Sequence, residues 1–134
     1  MPVRYRCPHC KAILNPGTKI VMRISLGTKA GLILLSPKVG DYTVILPEDF
    51  ILRDGDTALF QCPVCGTGLT SPADDRFGEV LRERPEGGDE FVHFHRKYGE
   101  HATFVVSERG VKAFGDDAAR YTQVNFFGAG RDED

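Results

Sequence analysis

Two C-x-x-C pairs carry the clearest chemistry in this sequence. Cys7 and Cys10 lie in YRCPHCKAIL, and Cys62 and Cys65 lie in the similar stretch FQCPVCGTGL, 55 residues later. Thiolates are soft ligands that hold zinc or iron, and the two residues between paired cysteines let both sulfurs turn toward one ion. A closed structural site needs four such ligands. Together the two pairs therefore predict one four-thiolate metal site.

Zinc is the metal that the pattern favours, and iron held by the same four thiolates is the alternative. In a reducing cytosol, two C-x-x-C pairs indicate a metal site rather than disulfides. CPHC is also the dithiol of thioredoxin-like disulfide oxidants, where the first cysteine lies at a helix N-terminus that lowers its pKa. Only five residues separate Cys10 from Pro16-Gly17. Because that is too short for such a helix, metal binding is the better interpretation.

The two pairs differ at the residue after their second cysteine. That position often needs a positive φ, which glycine adopts without steric cost. Gly66 meets this requirement in the second pair, whereas Lys11 occupies the position in the first. The sequence therefore predicts either a left-handed Lys11 or a first turn of different shape.

The motif aromatic-x-Cys-Pro-x-Cys, repeated across a long insertion, resembles the zinc-ribbon superfamily, and its turns are similar to those of rubredoxin. The match covers residues 5–14 and 60–69. The remaining chain resembles small bacterial zinc-ribbon proteins in which a C-P-x-C ribbon precedes a β tail. The resemblance implies a fold and a metal, but no activity.

The segments that must position the cysteines predict a mostly β protein. Residues 19–26 alternate apolar and polar side chains, which is typical of a half-buried strand. Asp54-Gly55 predicts a hairpin whose second strand, 57–61, leads into Cys62. The other predicted strands are 32–35, 42–46, 77–83, 90–96, 102–107 and 121–127, with one helical turn over 116–120 capped by Asp116.

This pattern predicts a zinc ribbon with a long β insertion between its two cysteine turns and a C-terminal β-meander. The zinc-ribbon domain is expected over residues 1–72, with the insertion at 11–61. The meander is expected over 73–127, packed on the first domain as one unit. A flexible acidic tail is expected at 128–134.

The net charge of −2 conceals an uneven distribution. Residues 1–38 contain seven Lys or Arg and no Asp or Glu, while all nineteen acidic residues follow. One interpretation is that the basic segment packs against the acidic remainder; the other is a positive face for an anionic partner. For the second interpretation, the candidate contacts are the cations beside the first cysteine pair: Arg4, Arg6 and Lys11.

An enzyme is not favoured, although the sequence does not decide the question. His93 and His95 would share one strand face near His101, so an open second metal site is conceivable. The alternative, which we favour, is that these histidines are surface residues of a meander. The glycine-rich stretch 27–31 lacks the spacing of a phosphate-binding loop.

The function that these features favour is a non-catalytic zinc-binding module that binds protein as an accessory component of a larger assembly. Rubredoxin-like electron transfer and nucleic-acid binding through the basic N-terminal segment are the alternatives. The sequence has no apolar run of membrane-spanning length and no signal peptide, which predicts a cytoplasmic protein without a membrane partner. It does not indicate an oligomeric state.

Overall fold

A computed structural model, which describes residues 3–126, confirms the mostly β fold. Its elements in chain order are β1 (Arg4–Arg6), β2 (Ile20–Leu26), β3 (Lys29–Leu35), β4 (Val44–Ile45), β5 (Leu59–Gln61), β6 (Phe77–Glu83), β7 (Asp89–His95), β8 (Thr103–Ser107), β9 (Gly110–Phe114) and a 3-10 helix (Ala118–Tyr121). The strands form two antiparallel sheets. No helix within the described range is long and apolar enough to cross a membrane.

The first sheet, in the order β4-β3-β2-β5, comes from the segment between the cysteine pairs, and we call it the insertion sheet. β2 and β3 form its central hairpin, which turns at Gly27 with a φ of 61°. Ile20, Met22 and Ile24 point inward and are buried, as their alternation predicts. The sheet therefore has one apolar inner face and one outer face.

The second sheet, in the order β1-β6-β7-β8-β9, we call the meander sheet. One face packs on the insertion sheet through Tyr5, Val80 and Val92. The opposite face is covered by the segment after β9, which places Tyr121 and Phe126 over Phe77. Both faces are consequently buried along the inner strands β6 and β8, which carry apolar residues on each side.

The N-terminal strand β1 belongs to the meander sheet, where Tyr5 pairs with Arg82 of β6. β5, which leads into the second cysteine pair, belongs to the insertion sheet and pairs with β2. The two cysteine pairs therefore follow strands of different sheets. Any ion held by all four cysteines joins the two sheets.

The hairpin predicted at Asp54-Gly55 is wrong. Residues 46–56, which include the turn, form no strand, and the Gly55 N–H donates to the Tyr98 carbonyl at 3.0 Å. Thr57 forms a bridge with Lys97. The turn therefore packs on the loop after β7, because backbone groups of that loop form the hydrogen bonds that a local partner strand would otherwise form.

The C-terminal predictions also need correction. β9 was not expected from the sequence, because its short segment GVKAF alternates only weakly. Residues 121–126 form no strand, since Tyr121 and Phe126 are held by packing on Phe77 rather than by a strand ladder. The 3-10 helix covers Ala118–Tyr121 rather than 116–120, and its N-cap is Asp117, one residue after the predicted cap, with no capping bond. Residue 127 and the predicted tail lie outside the described range.

Candidate metal centre

The two cysteine turns, which we call the first knuckle (5–14) and the second knuckle (60–69), have the same backbone geometry. The Lys11 N–H donates to the Cys7 carbonyl, and the Gly66 N–H donates to the Cys62 carbonyl, both at 2.9 Å. Two further backbone hydrogen bonds recur in both knuckles with lengths that agree within 0.1 Å. The Cys7 N–H donates to the Ala12 carbonyl and the Cys62 N–H to the Thr67 carbonyl, both at 3.0 Å. The Leu14 N–H donates to the Tyr5 carbonyl at 2.7 Å, and the Leu69 N–H donates to the Phe60 carbonyl at 2.8 Å. The repeated sequence therefore encodes a repeated local structure.

Lys11 adopts the left-handed conformation that Gly66 adopts in the second knuckle. Its φ is 66°, against 76° for Gly66, and it is the one non-glycine residue with positive φ in the range 3–126. This conformation costs a side-chain-bearing residue about 1–2 kcal/mol. Of the two possibilities that the sequence left open, the strained lysine is the one that the structure adopts.

Lys11→Gly is therefore expected to stabilise the metal-loaded protein by about 0.5–1 kcal/mol. The relief of strain exceeds the extra chain entropy that glycine adds to the unfolded state. Urea unfolding measures the change, and Gly66→Ala is the matched control, which should lower the free energy of unfolding by about 1 kcal/mol. A less stable Lys11→Gly variant would mean that the bond from Lys11 Nζ to the Pro8 carbonyl (2.7 Å) outweighs the strain.

The four sulfurs lie within 4.8 Å of one another. Cys7 Sγ is 3.8 Å from Cys65 Sγ, and Cys10 Sγ is 3.7 Å from Cys62 Sγ, so each contact crosses between knuckles. A disulfide requires about 2.05 Å. A tetrahedral ion with metal–sulfur bonds of about 2.3 Å separates its sulfurs by about 3.8 Å. The residues present therefore fit a tetrahedral four-thiolate site.

Backbone amides surround the inner sulfur of each knuckle. Cys7 Sγ accepts the N–H groups of His9 (3.3 Å) and Cys10 (3.5 Å), and Cys62 Sγ accepts those of Val64 (3.3 Å) and Cys65 (3.4 Å). Such bonds favour the charged form of an acceptor and so favour a ligating thiolate. Each knuckle thereby prepares one buried sulfur for a cation.

The cysteines differ in their tendency to ionise. Cys7 is fully buried, and burial raises the pKa of its thiol to about 12. Cys65 is exposed, and the Thr67 hydroxyl 3.3 Å away lowers the pKa of its thiol to about 6. Cys65 therefore loses its proton more readily than Cys7, and a metal that binds Cys7 must displace a proton.

No protein-family model, curated protein or solved structure matches this chain. The likeness to zinc ribbons therefore rests on the cysteine motif and the geometry of the four sulfurs. These support a metal-binding, zinc-ribbon-like site.

The three cations predicted to contact an anionic partner lie in or beside the first knuckle, and two of them, Arg4 and Arg6, face an acidic residue of β6. Arg4 Nη1 is 3.9 Å and Arg6 Nη2 is 3.6 Å from Glu83 Oε1. Arg6 also donates to the Lys11 carbonyl at 2.9 Å. These contacts agree with a basic segment that packs against the acidic remainder, and a role in binding anions stays a prediction.

The histidines do not form a second metal site in the part of the chain that the structure describes. There, the four cysteines are the one group of three or more side chains close enough to share an ion. His101 instead stacks on Tyr42 with ring centroids 4.3 Å apart, and His95 packs against Phe77. His93 and His95 share one face of β7, as predicted, but this does not bring three ligand atoms together.

The interpretation of His93 as a surface residue is wrong. Its side chain is fully buried, with Nδ1 3.0 Å from Ser71 Oγ and Nε2 3.7 Å from Glu79 Oε2. Burial lowers the pKa of the imidazole to about 4. Ser71 and Glu79 are buried as well. The run FVHFH was the available signal, since apolar residues on both faces indicate a strand covered on both sides.

Proposed function

We propose that this protein is a non-catalytic interaction module in which one zinc ion ties two β-sheets together and an exposed sheet face binds a protein partner. The observation that carries the proposal is the set of four sulfurs within 4.8 Å of one another, contributed by knuckles that follow strands of different sheets. Zinc would supply a structural link without redox chemistry. A reducing, cytoplasmic location is part of the proposal, supported by four free cysteines.

The outer face of the insertion sheet supports the choice of a protein partner. Cross-strand pairing places Val21 beside Leu34 and Leu34 beside Ile45, while Leu32 and Leu59 lie further along the same face. Leu32 is 52% exposed, Ile45 50% and Leu59 48%. We call these five residues the outer patch. An exposed antiparallel sheet face is usually polar, and a contiguous apolar area marks an interaction site.

The charge on this face indicates what the partner contains. The outward positions of its four strands carry no acidic residue, and Arg23 lies among them, next to Leu32. Arg23 has no ion-pair partner within residues 3–126. A partner segment with apolar side chains and a carboxylate complements the patch. A nucleic acid fits less well, because the patch is mostly apolar and Arg4 and Arg6 already face Glu83.

The metal is tested on protein purified without oxygen or added metals. We expect elemental analysis to give one zinc ion per chain and the solution to be colourless. A red protein with one iron per chain would instead support rubredoxin-like electron transfer, since the same four thiolates hold that ion. Metal-free protein that is fully folded would contradict the structural role.

The partner is tested by photo-crosslinking in the source cells. A crosslinking residue at position 32 is expected to capture a defined protein, and Leu59→Glu in the same chain should abolish the adduct by placing a charge in the patch. Lys112, exposed on β9 of the other sheet, is the control position and should give no adduct. Equal capture from both positions, or capture that Leu59→Glu leaves unchanged, would contradict binding at the outer patch.

A further inference from the structure

A cavity of about 260 Å³ lies between the inner faces of the two sheets. Apolar residues from both sheets line it, among them Met22, Ile33, Leu35, Val44, Val92 and Phe94. Met22, Ile33 and Val92 are buried, whereas Leu35, Val44 and Phe94 are partly exposed. The cavity therefore runs from a buried apolar interior to a mouth that reaches solvent.

Protein interiors are normally close-packed, and the walls of a void this large lose van der Waals contacts. Hydrogen bonds between the sheets hold the cavity open. Tyr42 Oη lies 2.9 Å from Thr103 Oγ1, the Tyr5 hydroxyl donates to the Pro37 carbonyl at 2.5 Å, and Arg96 Nε donates to the Ala58 carbonyl at 2.9 Å. Each bond joins a residue in or beside one sheet to a residue in or beside the other.

We propose that this cavity is a binding site for one small, uncharged apolar molecule, such as an aromatic compound of two or three rings. An apolar cavity of about 150 Å³ is large enough to bind benzene, and this cavity is larger. The walls supply apolar contacts, while the mouth carries charges of both signs, including Lys38, Asp41 and Asp54. Because neither sign dominates there, the site does not select an anion or a cation.

The aromatic residues that precede the two cysteine pairs also line this cavity. Tyr5 and Phe60 are buried two residues before Cys7 and Cys62, and Phe60 packs edge-on against Phe94 at 5.1 Å. The knuckles thereby fix one part of the cavity wall. Ligand binding in the cavity does not depend on the outer patch, which lies on the opposite face of the insertion sheet.

The experiment is a fluorescence titration of the zinc-loaded full chain with N-phenyl-1-naphthylamine, a neutral aromatic probe. We expect saturable binding of one probe per chain. Val44→Phe fills the cavity and should weaken binding by more than about tenfold. Val111→Phe is the matched control, because it makes the same change at an exposed valine of β9 that lines neither the cavity nor the outer patch, and it should leave the affinity within about twofold. Absence of saturable binding, or an equal loss in both variants, would overturn the proposal.

A measurement on the unmodified chain covers the case in which Val44→Phe does not fold. Addition of the probe should shift the methyl resonances of Met22, Ile33 and Val92, which line the cavity, and leave those of Leu32 and Leu59 in place. Shifts confined to Leu32 and Leu59 would show adsorption on the outer patch and would overturn the cavity site.

Discussion

Cys62→Ser is expected to lower the free energy of unfolding by on the order of 10 kcal/mol, which is the magnitude that a structural zinc site contributes at neutral pH. A typical domain has a stability of only about 5–15 kcal/mol in total. The variant should therefore be largely unfolded at 25 °C. The reason is that the site connects the end of β1 in the meander sheet to the end of β5 in the insertion sheet.

The measurement combines metal content with urea unfolding followed by circular dichroism. Val64→Ser is the matched control, because Val64 lies between Cys62 and Cys65, is 69% exposed and supplies no side-chain ligand. It should keep one metal ion per chain and an unchanged unfolding midpoint. Treatment of the natural protein with a strong chelator should reproduce the effect of Cys62→Ser. A Cys62→Ser chain that keeps the natural midpoint would show that the four cysteines do not stabilise the fold through a metal.

The second large effect is a loss of stability in mild acid, caused by the buried His93. Burial lowers the pKa of His93 from 6.5 to about 4. In the unfolded chain the same imidazole takes up its proton near pH 6.5. Between these values the unfolded state binds more protons, so the free energy of unfolding falls as the pH falls. The contribution is fully present above pH 6.5, and about 3 kcal/mol is lost by pH 4.

Urea unfolding at a series of pH values between 7.5 and 4.5 measures this loss. Protons also compete with a metal for the cysteines, so the informative quantity is the difference between the natural chain and His93→Gln, which share the same four cysteines. Glutamine can still bond to Ser71, but it does not titrate. We expect a visibly shallower pH dependence for His93→Gln. Identical slopes for the two proteins would mean that His93 is not buried in its neutral form.

Local sequence features predicted the parts of the fold that local interactions determine. The alternation in residues 19–26 correctly gave β2, and the apolar runs near 77–83 and 90–96 correctly gave β6 and β7. A lysine at position 11, where the second knuckle has glycine, predicted a strained backbone as one of two possibilities. The sequence could show this because the preference for a given φ depends on the type of that one residue. Asp54-Gly55 failed as a hairpin signal because the partner of that turn is the loop after β7, more than 40 residues away.

The sequence by itself identified the four cysteines of the candidate metal site, since Cys-x-x-Cys spacing and thiolate chemistry point to a four-sulfur cluster without knowledge of the fold. Only the tertiary structure decided that the site joins two sheets, that His93 is buried and that a cavity lies between the sheets. Each of these depends on long-range pairing, such as Tyr5 with Arg82 or Tyr42 with Thr103. A periodic sequence pattern shows that a strand has two faces, but the element that covers each face is chosen by packing between distant segments.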